Sequence, residues 1–250
     1  MSAISPPAAV LLPGTGSDEV FVRAVFARPL AAVGFAVSAP PPPAGAAVTT
    51  GYLEVLDAAA SAARAPLLVG GISLGAHLAT EWALRNRDRC AGVLAALPAW
   101  NGRVGSAPAA VAARLSADRV ARDGLDATLA TATAGIAPWL ADELRRAWRR
   151  HGPGLAAGLR AAADHPAPEL AELRALDVPV GIAACADDPV HPAAVARAWA
   201  GALPRAALCQ TTLTAVGADR ESLGRAAVLA WLRAGGGRFS HAHGDGPPSP

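Results

Sequence analysis

The feature that most constrains the fold is a serine between two glycines, at the junction of a strand and a helix. The motif reads Gly71-Ile72-Ser73-Leu74-Gly75; it follows an apolar run at 67–69 and precedes a stretch rich in alanine and leucine. A sharp strand-to-helix turn brings neighbouring backbones too close to leave room for a Cβ atom, which accounts for the two glycines. The pattern predicts that Ser73 has a strained backbone, with its hydroxyl exposed above a sheet.

Short apolar runs alternate with helical patterns on both sides of this motif, which indicates a parallel sheet covered by helices on both faces. We expect an α/β fold, a three-layer αβα sandwich with a mostly parallel six-stranded sheet and a helical cap insertion. The predicted strands are 8–12, 35–38, 67–69, 90–97, 178–184 and 206–213. A loop over 214–222 is expected to lead into the final helix.

The alternation of strand and helix patterns stops in the middle of the chain, where helical patterns separated by glycine and proline replace the strand-like runs. We predict that 99–176 forms a helical cap over the carboxyl edge of the sheet, with its last helix over 168–176. The core would then consist of 1–98 and 177–234. The tail 235–250 is rich in glycine and proline and is predicted to be disordered.

The charges do not suggest a nucleic-acid partner. All 22 basic residues are arginines, they are mixed with 20 acidic residues, and the net charge is +2. Only Arg145-Arg146 and Arg149-Arg150 cluster, and their helical spacing is interpreted as a solvated helix face.

The hydropathy and the cysteines indicate a protein of the cytoplasm. No uninterrupted apolar stretch reaches the roughly 18 residues that span a bilayer, so no membrane partner is expected. The N-terminus lacks the positive region of a signal peptide. Cys90, Cys185 and Cys209 form no C-x-x-C pair and are interpreted as small buried hydrophobes in a reducing compartment.

In its strand–turn–helix context, the serine motif resembles the nucleophile elbow of the α/β-hydrolase superfamily. The resemblance covers about residues 8–98 and 177–234 and lacks the two strands that usually begin the fold. It implies that Ser73 is an acyl-transfer nucleophile. Because the elbow carries serine and not aspartate, it argues against dehalogenase or epoxide-hydrolase chemistry.

The resemblance also implies two backbone donors for a developing oxyanion. One is the N–H of Leu74, at the N-terminus of a helix. The other is the N–H of Thr15, in the turn after the first strand, where Gly14 and Gly16 are possible site-lining residues. Pro13 stands where the family often has histidine, and the alternative interpretation is a tight strand–helix turn with no further role.

The acid is expected in the turn after the fifth strand. The string Asp188-Pro189-Val190-His191-Pro192 resembles the Asp-Pro-x-x-Pro turn of the superfamily, which implies Asp188 as the acid. Asp187 is the alternative acid, since a shift of one residue in the strand end would exchange the two. Either aspartate could instead cap the following helix.

The general base is missing from its usual place. In the superfamily it follows the last strand, and 214–222 contains no histidine. His191 lies three residues after Asp188, at the carboxyl edge where open α/β sheets place their sites, and we expect it to be the base. The alternative is a water-exposed histidine at a helix start. His241 and His243 of the tail are the remaining candidates.

Other residues are assigned weaker roles. His77 lies one turn into the elbow helix and is expected to pack there or to line the site. Asp219 occupies the vacant histidine loop, where it would bind a polar substrate group or cap the last helix. Trp100 is a possible site-lining residue that, with Trp139 and Trp148, would shape an apolar acyl pocket or form the core of the cap.

These residues lead to a principal hypothesis and two rivals. The first is a serine hydrolase of the esterase or thioesterase type, which acts on a small acyl substrate with no cofactor and no metal site. The second is a hydrolase-like protein that has lost its base and binds a small molecule or partner. The third is a non-hydrolytic enzyme with Asp219 in the place of the histidine.

Overall fold

Parallel strands form one six-stranded sheet in the computed structural model, which describes residues 8–237. The strands are β1 Ala8–Leu12, β2 Ala36–Ser38, β3 Leu67–Ile72, β4 Cys90–Ala96, β5 Val180–Cys185 and β6 Ala206–Thr211. Their order across the sheet is β2-β1-β3-β4-β5-β6, and every neighbouring pair is parallel. The predicted fold class is confirmed, and the sheet is parallel throughout.

Helices cover both faces of the sheet. The helices on one face are α1 Glu19–Ala31 and α11 Glu221–Arg233; those on the other are α2 Val48–Ala62, α3 Leu74–Arg85 and α9 Ala193–Ala202. Side chains of each strand alternate between the two cores. In β3, Leu68 and Ile72 join the core under α1 and α11, while Leu67 and Val69 join the other core. Every residue of β3 and β5 is buried, which explains their continuous apolar character.

The segment between β4 and β5 is helical. Its helices are α4 Pro108–Asp123, α5 Leu125–Ala132, α6 Pro138–His151, α7 Leu155–Asp164 and the short α8 Leu170–Leu173. Buried side chains of this segment, such as Leu129 and Leu155, belong to the same hydrophobic cluster as the α3 face of the sheet. The boundary between core and cap therefore remains a prediction, and the last cap helix is much shorter than the predicted 168–176.

The segment after β6 differs from the predicted loop. It forms a further helix, α10 Leu213–Ala218. The Thr212 side chain accepts a hydrogen bond from the Ala215 N–H (3.0 Å), and Asp187 Oδ1 accepts one from the Leu213 N–H (2.7 Å). These two bonds satisfy donors of the first turn that have no partner inside the helix, and so they stabilise a helix of only six residues.

Two further predictions about the chain can be compared with the structure. None of the helices between residues 8 and 237 has the length and apolarity needed to cross a membrane. Cys90 and Cys185 are buried, and burial raises the pKa of each thiol to about 12. Cys209 is only partly buried, contrary to expectation, because β6 is an edge strand. Most of the predicted disordered tail, with His241 and His243, lies outside the described residues.

Candidate active site

The turn between β3 and α3 holds Ser73 in a conformation that few side chains adopt. Its φ is 54° and its ψ is −114°. The end of β1 passes so close that a Cβ atom at Gly71 would lie 2.4 Å from the Leu12 carbonyl oxygen, and one at Gly75 would lie 2.2 Å from it. Only glycine fits at either position, which gives the sequence motif its physical cause. The Ser73 N–H donates to the Ala96 carbonyl oxygen (2.9 Å), which ties the turn to β4.

Backbone strain occurs on two adjacent strand ends. Among the described residues, Ser73 and Leu97 are the non-glycine residues with positive φ, and Leu97 follows β4 with a φ of 52°. Its N–H donates to the Ala183 carbonyl oxygen of β5 (2.8 Å), so a strand-type bond holds it in place. Strained residues of this kind are frequent at functional sites. The sequence does not predict the positive φ of Leu97, because the apolar run in which it lies is typical of an ordinary buried strand.

The turn after β5 brings His191 to the elbow. His191 Nε2 lies 3.0 Å from Ser73 Oγ, and His191 Nδ1 lies 2.8 Å from Asp188 Oδ2. A carboxylate can only accept, so Nδ1 is the donor to Asp188; in the tautomer with its single proton on Nδ1, Nε2 can accept from the serine hydroxyl. Ser73, His191 and Asp188 therefore form one hydrogen-bonded chain, with the predicted partners.

Asp188 is held by its own turn. Its Oδ1 accepts from the N–H groups of Val190 (2.8 Å) and His191 (3.1 Å), and its side chain is only 5% exposed. Burial works to raise the pKa of this carboxyl, but the hydrogen bond and charge of His191 and the two N–H groups outweigh it, so the pKa is lowered. Asp188 therefore stays ionised and can orient the imidazole.

Asp187 points away from the histidine. Its carboxylate accepts the N–H of Leu213 at the start of α10. The two aspartates thus divide the work: Asp188 contacts His191, and Asp187 fastens the turn to the neighbouring segment. The alternative in which Asp187 is the acid is wrong for this geometry, because its carboxylate is already used on α10.

Two backbone N–H groups flank the serine without a protein partner. Within residues 8–237, neither the Thr15 nor the Leu74 N–H donates to an acceptor of the protein. Leu74 is the first residue of α3, where the helix dipole favours negative charge. A Cβ atom at Gly14 would lie 3.4 Å from Ser73 Cβ, so the β1–α1 turn, residues 13–18, lies directly against the elbow. Free backbone donors beside a serine hydroxyl can stabilise negative charge that develops on a neighbouring oxygen.

His77 and Trp100 pack behind the elbow. His77 is fully buried, its Nε2 accepts the Ala99 N–H (3.0 Å), and its ring meets the Trp100 ring edge-to-face at 4.6 Å. Burial lowers the pKa of His77 to about 3, so the ring is neutral. His77 was expected either to pack or to line the site, and the geometry fits packing beneath the site.

Asp219 does not reach the site. It lies exposed before α11, where Oδ1 accepts the Glu221 N–H (2.9 Å) and Oδ2 pairs with Arg225 (2.6 Å). The prediction that Asp219 lines the site is therefore wrong. The reason is local: an aspartate two residues before a helical N–H is a cap, and the basic residue of the next turn fixes it.

The three tryptophans have separate partners. Trp100 contacts His77, Trp148 lies against Gly16, and Trp139 packs on Gly217. None of these contacts joins two tryptophans, and the shared acyl pocket remains a prediction.

Sequence reasoning missed the role of α6. Arg146 donates to both carboxylate oxygens of Asp18, with Nε–Oδ2 at 2.9 Å and Nη2–Oδ1 at 2.7 Å, and Arg150 pairs with Glu19. The interpretation of this cluster as a solvated helix face is therefore incomplete: Arg146 and Arg150 are 36% and 49% exposed, yet each pairs with a carboxylate of another segment. Their spacing of four places both on one side of α6, a signal that could have suggested an acidic partner.

The parallel sheet, the elbow serine and the turns at its carboxyl edge define the α/β-hydrolase fold, as the motif predicted. No protein-family model and no curated protein matches the sequence.

Solved structures with this fold superimpose on nearly the whole chain. MenH from S. aureus has a TM-score of 0.70 at 14% identity and covers 93% of this chain and 95% of its own. A hydrolase from Pseudomonas aeruginosa PA01 has a TM-score of 0.66 at 22% identity, covering 93% and 92%. A thermophilic esterase from Thermogutta terrifontis, with malate bound, has a TM-score of 0.65 at 20% identity, covering 92% and 90%. At these identities, the likeness establishes the fold.

Proposed function

We propose that the protein is a serine hydrolase that cleaves carboxylic esters or thioesters through an acyl-enzyme on Ser73. The observation that carries the proposal is the chain of hydrogen bonds from Ser73 Oγ to His191 Nε2 and from His191 Nδ1 to Asp188. Nucleophile, base and orienting acid stand within hydrogen-bond reach, as acyl transfer requires. The hydrolase and the esterase among the similar structures support the same chemistry.

The reaction follows from these contacts. Ser73 Oγ bonds to the acyl carbon while its proton passes to His191 Nε2, and Asp188 stabilises the imidazolium. The carbonyl oxygen takes the negative charge and accepts from the Thr15 and Leu74 N–H groups. When the tetrahedral intermediate collapses, the bond to the leaving oxygen or sulfur breaks, and Nε2 returns the proton to that group.

Hydrolysis of the acyl-enzyme repeats these steps with water. His191 Nε2 takes a proton from water, the hydroxide oxygen bonds to the acyl carbon, and the bond to Ser73 Oγ breaks as the serine recovers its proton. The products are a carboxylic acid and the alcohol or thiol. The small acyl substrate and the cytoplasmic location expected from the sequence belong to this proposal.

Both rival hypotheses lose their support. The binding protein without turnover depended on the missing histidine after the last strand, yet an imidazole stands 3.0 Å from the serine. The non-hydrolytic enzyme required Asp219 in that place, and Asp219 is paired with Arg225.

A fluorophosphonate probe tests the proposal, because it phosphonylates only a serine that is activated as a nucleophile. We expect the wild-type protein to be labelled at Ser73, and the Ser73→Ala and His191→Ala variants to remain unlabelled. The matched control is His165→Ala, which removes another histidine paired with a carboxylate, that of Glu81 (2.6 Å), and should leave labelling intact. An unlabelled wild-type protein, or labelling that persists in His191→Ala, contradicts the mechanism.

A further inference from the structure

We infer that α6 holds the β1–α1 turn in the geometry that catalysis requires, with Arg146 as the positioning residue. The inference rests on the proposed function, because it concerns where the Thr15 N–H lies when the oxyanion forms. Arg146 touches neither the substrate nor the reacting atoms, and it acts through Asp18.

Asp18 is the point at which the turn is held. It is fully buried and begins α1, where Oδ1 accepts from the N–H groups of Val20 and Phe21, both at 3.1 Å. Burial alone would raise the pKa of its carboxyl, but the bidentate bonds from Arg146 and these N–H groups lower it. A planar guanidinium that donates to both oxygens fixes orientation as well as charge. Asp18 is three residues from Thr15, so its position determines where that donor lies.

Other side chains of α6 contact the same short segment. The contacts are Arg150 with Glu19, His151 Nε2 donating to the Ser17 carbonyl oxygen at 2.9 Å, and Trp148 against Gly16, where a Cβ atom would lie 2.9 Å from the indole nitrogen. Gly16 has a φ of 66°, so both its conformation and the tryptophan exclude a larger residue. One helix therefore touches four consecutive residues, 16 to 19.

The opposite end of α6 is anchored on the segment that follows the edge strand β6. Trp139 packs against Gly217 of α10, and the Arg220 guanidinium lies 4.4 Å from the centre of its ring. Glu143, one turn further along, lies 3.7 Å from Arg220 and also pairs with Arg146. α6 therefore bridges the carboxyl edge of the sheet from α10 and α11 to the β1–α1 turn, and its position is fixed at both ends.

The turn has little internal support of its own. Among the described backbone hydrogen bonds, a single one lies within it, from the Ser17 N–H to the Gly14 carbonyl oxygen (3.0 Å). An oxyanion donor works over a narrow range, about 2.7–3.1 Å from the oxyanion. Without Arg146, the buried carboxylate of Asp18 loses its cation, and the turn must move to bring it to water. Transition-state stabilisation then falls, while ground-state binding changes little, so kcat falls and KM does not.

The test measures hydrolysis of a short-chain p-nitrophenyl ester by the full chain and its variants. In Arg146→Ala we expect kcat to fall about 10- to 100-fold with KM within about threefold, somewhat less than the loss of a whole oxyanion donor. Arg146→Lys keeps the positive charge but loses the planar guanidinium that donates to both oxygens of Asp18, and it should recover part of kcat. Asp18→Asn keeps the helix cap and loses the ion pair, and it should resemble Arg146→Ala even if the latter folds poorly.

Arg145→Ala is the matched control. Arg145 is the next residue of α6, and its guanidinium bonds to Asp142 and Thr133, away from the β1–α1 turn. We expect its kcat to stay within about twofold of wild type, since lost helix charge alone acts weakly.

A second measurement separates positioning from general damage. A boronic acid forms a tetrahedral adduct with the serine, so its inhibition constant should rise in parallel with the fall in kcat. An unchanged kcat in Asp18→Asn and both Arg146 variants, or an equal loss in Arg145→Ala, overturns the inference alone if the wild type hydrolyses the ester. A wild-type protein that neither turns over esters nor reacts with the fluorophosphonate overturns the proposed function and this inference together.

Discussion

The segments that follow β5 and β6 begin on neighbouring parallel strands at the same edge of the sheet, yet only the first of them reaches Ser73. The turn after β5 carries both Asp188 and His191. The segment after β6, where the superfamily resemblance predicts the histidine, forms α10 and contains none. Its carboxylate, Asp219, faces Arg225 and not the serine.

The difference shows that a single turn can supply both partners of the serine. Asp188 accepts the N–H groups of Val190 and His191, so its carboxylate is oriented by the same residues that lead to the imidazole. Pro189 and Pro192 restrict the backbone on either side. The segment after β6 takes a supporting role instead, because the Leu213 N–H holds Asp187 and thereby fastens the turn.

Moving the imidazole between the two segments is the strongest test of this comparison. In His191→Ala we expect kcat/KM to fall by at least about 10⁴-fold, since the serine loses its base. Adding Asp219→His should restore nothing, because position 219 lies at the start of α11, beside the Glu221 N–H and Arg225. Ester hydrolysis provides the measurement.

The control for that experiment is Asp219→His alone. Position 219 contacts no residue of the hydrogen-bonded chain, so activity should stay within about threefold of wild type, as is usual for an exposed substitution. Recovery of the double variant to within tenfold of wild type would show that the segment after β6 still reaches the serine, and that the two segments are interchangeable.

Most of the fold could be predicted because its signals are local. Continuous apolar runs such as that of β5 are required where a strand is buried on both faces, and the glycines of the elbow are required by the closeness of the Leu12 carbonyl. The end of β6 was placed too late, and α10 was missed. That helix depends on the Asp187 carboxylate, 26 residues before its partner Leu213, and no pattern within the segment reveals such a contact.

The candidate site also contains residues that the sequence predicts and contacts that it does not. The resemblance to the superfamily implies Ser73 and Asp188, and His191 is predicted because it lies three residues after Asp188 at the carboxyl edge of the sheet. The contacts of α6 could not be predicted, because Arg146 and Asp18 are 128 residues apart. Choosing the partner of an arginine requires knowing which helix crosses the edge of the sheet, and that is a property of the assembled fold.

The two adjacent aspartates of the turn after β5 are expected to differ in their effects when each is replaced by asparagine. In Asp188→Asn we expect kcat to fall about 10⁴-fold, because the amide no longer holds the imidazole in the tautomer whose Nε2 can accept. In Asp187→Asn the amide oxygen still accepts the Leu213 N–H, so activity should stay within about threefold. The free energy of unfolding should fall by about 1 kcal/mol or less, as the bond loses its charge. Kinetics and urea unfolding measure the two effects, and a large kinetic loss in Asp187→Asn would contradict the assigned roles.

The smallest expected effect is a difference between the segments after β5 and β6 in how much their carboxylates contribute to stability at low pH. The pKa of Asp188 is lowered in the fold, where burial opposes the shift and the bonds from His191 and the turn outweigh it; the pKa of Asp219 is lowered by Arg225. A carboxyl with a depressed folded-state pKa stabilises the protein above its unfolded pKa of about 4, and this stabilisation is lost as pH falls through the folded value. Asp188 is almost fully buried, while Asp219 and Arg225 are each about half exposed, so solvent screens the second pair far more. When urea unfolding is measured at pH 7 and at pH 3, the free energy of unfolding should therefore fall less on acidification in Asp188→Asn than in Asp219→Asn.

Adding 1 M salt should remove the small contribution of Asp219 and leave most of that of Asp188. If the free energy of unfolding depends on pH equally in the two variants, the turn after β5 is as open to solvent as the start of α11.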